Sequence, residues 1–377
     1  MVNEGRVVTE RVATETRVAT EGGVVTDGSA MTDSSAVADS AAGGGWPAGA
    51  ATGIGSMPGT DPVEAVRLVF GELPDLPYLP ELPARGPGAD LTGRGATFLV
   101  DLPVDLQPSG WRLVDHPGRD LHRSADLLAR DLDALDEAAD GYRGPLKLQA
   151  AGPWTLAATV ELHRGHKVVS DPGAVKDLTQ SLAEGLRQHV LDVRRRVPGA
   201  RVVLQLDEPM LPMVLGGRVP TASGYGTLRS VAGPVAEEGI RAVLVAVVDA
   251  GAYPVVHCCA AEPPIELLHG AGARAVAVDA ALLGPADDEV VGVAVEAGLV
   301  LWLGLVPGTD AALPSLASTL GPARRLWSRL GQDPERLARA VVPTPACGLA
   351  GASPSYVRAV LRRLRDAGHA LRDAPDG

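Results

Sequence analysis

From Trp46 to the C-terminus, short apolar runs rich in Val, Leu and Ala alternate with longer, charged stretches of helical period. The runs cover residues 51–56, 96–102, 146–151, 201–206, 255–259, 275–278, 300–305 and 341–346. Most are apolar on both faces, as strands of a parallel sheet are when helices cover both sides. Parallel strands need long crossovers, and residues 120–139, 172–196, 285–297, 311–330 and 354–367 predict the helices that supply them. About eight such units over residues 46–377 predict an α/β fold of the (β/α)8 TIM-barrel type. An open doubly wound sheet is the other arrangement. Its glycine-rich dinucleotide turn is missing after the first strand, because Gly53-Ile54-Gly55 lacks the third glycine.

Residues 1–45 read differently. Val-Thr-Glu and Ala-Thr-Glu units recur loosely, then Ser, Ala, Asp and Gly take over as far as Gly43-Gly44-Gly45. Side chains this small bury too little surface to offset the entropy of ordering the chain, so a disordered extension is expected there.

In a barrel, reactive groups sit at the C-terminal ends of the strands. The predicted ends carry Ile54-Gly55-Ser56, Gly152-Pro153, Asp207-Glu208-Pro209, His257-Cys258-Cys259, Asp279, Val306-Pro307 and Cys347. The chain has three cysteines, too few for a disulfide framework but well placed for a metal. Along a strand His257 and Cys259 point to one face and Cys258 to the other, so Cys258 is expected in the wall. Cys347 adds a third soft donor. Three N and S donors with an open fourth position are the mark of a catalytic zinc site. The plainer reading makes all three cysteines small core residues. The acid pair Asp207-Glu208 can hold a substrate amino group or act as a base, or simply end its strand before Pro209. Residues 54–56 offer a backbone that a ligand can approach, with Ser56 as a donor to a carboxylate.

Charge excludes other classes of partner. A formal net charge of -12 argues against nucleic acid and against an anionic membrane. No apolar run reaches the roughly 20 residues of a membrane helix, and no signal-peptide pattern is present. A cytoplasmic enzyme is the expectation.

Taken in order, five stretches resemble the catalytic domain of the cobalamin-independent methionine synthase family. They are Gly53-Ile54-Gly55-Ser56-Met57-Pro58, Gly152-Pro153-Trp154-Thr155, Gln205-Leu206-Asp207-Glu208-Pro209, His257-Cys258-Cys259 and Pro345-Ala346-Cys347-Gly348-Leu349. The resemblance implies a (β/α)8 barrel that uses zinc to activate the thiol of homocysteine, which then takes a methyl group to give methionine. It implies zinc at His257, Cys259 and Cys347. It also implies contacts to homocysteine from Asp207, Ile54, Gly55 and Ser56, with Glu81 as a further contact to the amino group. Where the family has a glutamate ligand, this chain has Asp279, one methylene shorter. Full-length members carry a second, N-terminal barrel that helps to bind the folate, for which this chain has no room. The donor expected is therefore a methylated folate or a methyl-corrinoid on a partner protein.

Two other readings compete. A metal-free barrel of the uroporphyrinogen decarboxylase type needs clustered arginines to clamp carboxylates, and only Arg85, Arg94 and Arg218 lie near the strand ends. A non-catalytic zinc-binding barrel needs a closed four-ligand site.

Overall fold

The computed structural model describes residues 44–374. The extension expected over residues 1–45 therefore falls, up to residue 43, outside the described residues. The chain forms an antiparallel hairpin, β1 (Val104–Gln107) and β2 (Gly110–Leu113), and a six-stranded parallel sheet. The sheet runs in sequence order through β3 (Gly144–Ala151), β4 (Ala200–Asp207), β5 (Tyr253–His257), β6 (Ala275–Asp279), β7 (Val300–Val306) and β8 (Val341–Pro345). Every residue of β3, β5, β7 and β8 is buried, as apolar runs covered on both faces require.

Alternation along these strands sorts side chains into two cores. One set, including Leu146, Leu148, Leu204, Leu206, Val256, Val276, Val278, Leu301 and Leu303, packs outward into the large core under the helices. The alternate set, Val203, Val255, Ala275, Ala277, Val300, Trp302 and Val342, faces inward around Trp46. The Trp46 ring meets Tyr253 edge-on at 5.0 Å and Trp302 at 5.7 Å, so three large rings fill the inner floor. Further along the same inward positions stand Lys147, Gln149, Gln205, Asp207 and His257. The sheet interior thus changes from apolar to polar towards the C-terminal ends of its strands.

The helices follow their sequence signals. In helix Pro172–Arg196, Asp171 accepts from the amides of Gly173 and Ala174, Pro172 opens the first turn, and Arg194, Arg195 and Arg196 close the last. Each device satisfies or complements the unpaired groups at a helix end. Its face of Leu178, Leu182, Leu186, Val190 and Val193 is wholly buried. The stretch expected as one helix over 311–330 begins only at Leu316, where Ser315 caps it. The stretch over 285–297 divides into a 3-10 turn (Pro285–Asp287) and a helix (Asp288–Glu296). Among the described residues no helix is long and apolar enough to cross a membrane.

The first two expected strands are corrected. Residues 51–56 run extended but make only the isolated bridge Ser56 to Glu81. The apolar run 96–102 is not a strand: Leu91–Ala96 is a helix capped by Asp90, and the amides of Thr97, Phe98 and Leu99 continue in tight turns. The place beside β3 belongs instead to residues 77–82. Leu79 N donates to Lys147 O at 2.9 Å and Lys147 N to Pro77 O at 2.9 Å, while Glu81 N donates to Gly55 O at 3.1 Å. Thr52 N in turn donates to Pro343 O of β8 at 3.2 Å. Two extended segments thus link the edge strands β8 and β3. Pro77 and Pro80 lack the N–H groups that a regular ladder needs, which keeps their segment from being a strand.

Candidate metal and substrate site

His257, Cys259 and Cys347 converge, with their ligand atoms all within 4.8 Å of one another. Ligands at roughly 2.0–2.3 Å from a tetrahedral ion lie about 3.5–3.8 Å apart, so the span suits one metal ion. His257 ends β5, and its Nδ1 lies 3.1 Å from Ala277 O, an atom that can only accept. The proton therefore sits on Nδ1, which leaves the Nε2 lone pair free. Nε2 is buried and hydrogen-bonds to nothing in the protein. A buried ring nitrogen without a partner is costly unless a ligand takes it, and that fits a metal.

The sulfurs of Cys259 and Cys347 lie 3.0 Å apart, and neither cysteine is in a disulfide. The hydrogen bond between them pulls the Cys347 thiol down to about 4 and pushes the Cys259 thiol far up, so the pair shares one proton. Cys258 packs in the outer core, where burial pushes its thiol up to about 12. It belongs to the wall and not to the donor set. Asp279 is likewise not brought to the group. Its carboxylate accepts from Ala281 N at 2.9 Å and caps the turn after β6. The shorter side chain serves its own loop.

Beside the three donors opens a cavity of about 250 Å³ lined by Ile54, Gly55, Ser56, Glu81, Asp207, Pro209 and Gly348 among others. That is below the roughly 300–1,000 Å³ of pockets for drug-sized ligands, and suits a small metabolite. All five residues expected to touch substrate are thus in one place with the three metal donors. The amides of Gly55 and Ser56 have no acceptor among the described residues, and Leu349 N ties Ser56 O at 2.8 Å to the loop carrying Cys347. A Cβ at Gly348 would meet the Ser56 hydroxyl, so the loop carrying Cys347 packs directly on Ser56.

The two carboxylates are held from behind. Asp207 Oδ1 accepts from Gln205 Nε2 at 2.6 Å, and Glu81 Oε1 from Gln149 Nε2 at 3.2 Å. The two glutamines are register partners on adjacent strands. Lys147, fully buried, donates to Gln149 Oε1 at 3.0 Å, Gln205 Oε1 at 3.1 Å and Ile54 O at 2.7 Å. Arg94 Nε lies 3.4 Å from Glu81, and Arg94 and Arg85 both pair with Asp131. Burial raises the pKa of Asp207 and lowers that of Lys147, and each charge partly restores the other. Burial also raises Glu81, against the pull of Arg94.

Lys147, Gln149 and Gln205 escaped the sequence reading as site residues, whereas Glu208, read there with Asp207 as an acid pair, faces away to a structural clamp. Glu208 accepts from Trp154 N at 2.9 Å, Thr155 N at 2.8 Å and Thr155 Oγ1 at 2.7 Å, which locks the loop after β4 to the helix Pro153–Thr159. Its own amide donates to His257 O at 2.8 Å. The available signal was a polar residue at every second position of two otherwise apolar strands.

The family described as "Cobalamin-independent synthase, Catalytic domain" matches residues 49–370. The chain belongs to that family. It is the cobalamin-independent methionine synthase family that the sequence motifs resemble. Among solved structures, a B12-independent methionine synthase from Shewanella sp. W3-18-1, in complex with selenomethionine, is similar with a TM-score of 0.59 and 13% identity. That match covers 86% of this chain and 97% of the other. An oxaloacetate acetylhydrolase in complex with oxalate matches at a TM-score of 0.33 and 16% identity, over 84% of this chain and 83% of the other. No curated protein matches the sequence. As a member of the family, the catalytic domain carries a group of residues able to hold a metal ion.

Proposed function

We propose that this protein is a zinc-dependent methyltransferase that methylates the thiol of homocysteine to give methionine. The observation that carries the reading is the unpartnered Nε2 of His257 beside Cys259 and Cys347, at the wall of a cavity that also holds Asp207, Glu81 and the free amides of residues 55 and 56. His257, Cys259 and Cys347 would hold the zinc ion. Zinc bound there supplies a Lewis acid that keeps a substrate thiol deprotonated at neutral pH. Selenomethionine in the similar Shewanella enzyme supports a product of the methionine type.

The protein's own groups orient the substrate. Asp207 and Glu81 accept hydrogen bonds from its ammonium group, while the amides of Gly55 and Ser56 and the Ser56 hydroxyl donate to its carboxylate. The sulfur then takes the methyl group, its new S–C bond forming as the donor's bond to that carbon breaks. The donor is a methylated folate or a methyl-corrinoid carried by a partner protein. A cytoplasmic setting keeps the cysteines reduced. No arginine lines the cavity among the described residues, and Arg85 and Arg94 are committed to Asp131, which removes the clamp that a decarboxylase needs.

The test is metal content followed by zinc-edge X-ray absorption with and without homocysteine. About one zinc per chain, gaining a sulfur neighbour on addition of homocysteine, is the expected result. Protein purified reduced and without chelators that holds no zinc sinks the reading.

A further inference from the structure

Lys147 does not line the cavity, yet each of its hydrogen bonds leads to a part of the site. It stands on β3 with no exposed surface, and the Tyr78 ring centroid lies 5.1 Å from its ammonium nitrogen. An ammonium has three donors and no acceptor, and here all three are used on Ile54 O, Gln149 Oε1 and Gln205 Oε1. A glutamine amide can turn either end towards a neighbour. With its oxygen held by Lys147, Gln205 presents its NH2 to Asp207, and Gln149, whose NH2 also donates to Leu79 O at 2.7 Å, presents it to Glu81. Gln205 Nε2 also reaches Ile54 O at 2.8 Å, so that carbonyl accepts two donors and is fixed facing inward.

We propose that Lys147 is a positioning residue for the amino-acid end of the substrate. Through the two glutamines it aims the carboxylates of Asp207 and Glu81 at the substrate ammonium. Through Ile54 O it sets the backbone whose next two amides meet the substrate carboxylate. This rests on the homocysteine reading above and extends it to a residue that never touches the ligand. Methionine at position 147 matches the length of lysine without the charge. The two glutamine oxygens then lose their ammonium donor. Although Ile54 O and Leu79 O still hold the NH2 ends, the amides and the carboxylates they carry are less firmly placed.

The experiment is calorimetric binding of homocysteine and of propanethiol to the zinc-loaded full chain, for wild type, Lys147→Met and Gln205→Met. Propanethiol offers the sulfur without the amino-acid end. In Lys147→Met the preference for homocysteine over propanethiol falls by about tenfold or more, the scale of a lost charge-assisted contact. Zinc content and propanethiol affinity stay at the wild-type level. Gln205→Met, which keeps the cation but cuts its route to Asp207, loses preference in the same direction, and it carries the test if Lys147→Met does not fold. Retained preference in either folded variant overturns the proposal. Equal loss for both thiols also overturns it, by making the lysine a general support of the fold. A wild-type protein that binds propanethiol but does not prefer homocysteine refutes instead the homocysteine reading on which the proposal stands.

Discussion

The two ends of the cavity are built on opposite plans. At the thiol end, His257, Cys259 and Cys347 sit at strand ends, one buried, one half-buried and one exposed, with the His257 Nε2 bonded to nothing. At the amino-acid end, Asp207 and Glu81 are buried, and each carboxylate is backed by a glutamine, a shared lysine and, for Glu81, an arginine. Under the proposed function, the difference follows from what each end would hold. A metal brings its own charge and binds donors strongly, so its ligands need only be near one another and free. An ammonium group binds weakly in comparison, and it rewards carboxylates only if their desolvation has already been met by fixed partners. One end is completed by its ligand and the other is complete beforehand.

Removing a thiol-end donor should therefore have the largest effect on binding and a small one on folding. In Cys347→Ala we expect zinc content to fall from about one equivalent to near zero, with homocysteine and propanethiol binding lost together. The melting temperature measured in chelator should stay within about 2 °C of wild type, because the Cys347 side chain is exposed and supports no core. A large drop in chelator would show the thiol end to be structural and break the contrast. Asp207→Asn should act at one end only. Losing a charged acceptor costs about 1.5–3 kcal/mol, on the order of 10- to 100-fold in homocysteine affinity, with propanethiol unchanged. Equal loss for both thiols would take the amino-group role from Asp207.

A smaller effect is expected between the two ends. Glu208 binds the Pro153–Thr159 helix with three donors while its own amide holds the strand of His257. Burial pushes this carboxyl up to about 7 although all three donors favour the charged form. Glutamine at 208 would face an NH2 towards those donors and leave buried groups unpaired, at about 1–3 kcal/mol of stability. Calorimetric unfolding of Glu208→Gln checks it. An unchanged melting curve would mean that water or a rotated Thr155 replaces the clamp.

The same contrast explains what could be read from the sequence. Six of the expected strands and the helix Pro172–Arg196 lie where the apolar runs and caps put them, because buried parallel strands and capped helices are local patterns. His257, Cys259 and Cys347 were legible because their residue types are rare and carry chemistry by themselves. Asp279 was legible only as a strand-end acid, and its length sends it to the amide of Ala281. Residues 77–82 were hidden by Pro77 and Pro80, whose missing N–H groups erase the strand signal while leaving room beside β3. Residues 96–102 showed the reverse, since Phe98 and Leu99 are apolar for packing from turns. Lys147, Gln149 and Gln205 were hidden by their surroundings. In one dimension they interrupt apolar strands, and their purpose is visible only when β3 and β4 lie side by side in register.

The expected effect that is smallest at neutral pH concerns the far side of the amino-acid end, where His189 provides a contrast with His257. Both imidazoles are buried, but His189 packs its ring 4.8 Å from that of Phe98 instead of facing the cavity. Burial first, and the positive charge of Arg94 next, hold its pKa down at about 3. The unfolded chain takes up a proton near the ordinary value of about 6.5, whereas the folded one resists until about 3. Protonation therefore favours unfolding: the contribution of neutral His189 is complete above about pH 6.5 and is lost as pH falls towards 3. At pH 5 the loss amounts to about 2 kcal/mol. His189→Leu should flatten the fall in stability between pH 7 and pH 5, read by denaturant unfolding at each pH, whatever it does to stability at pH 7. An unchanged slope would mean that His189 charges in the folded protein, and that the charge pattern around Arg94 opens more readily than its burial implies.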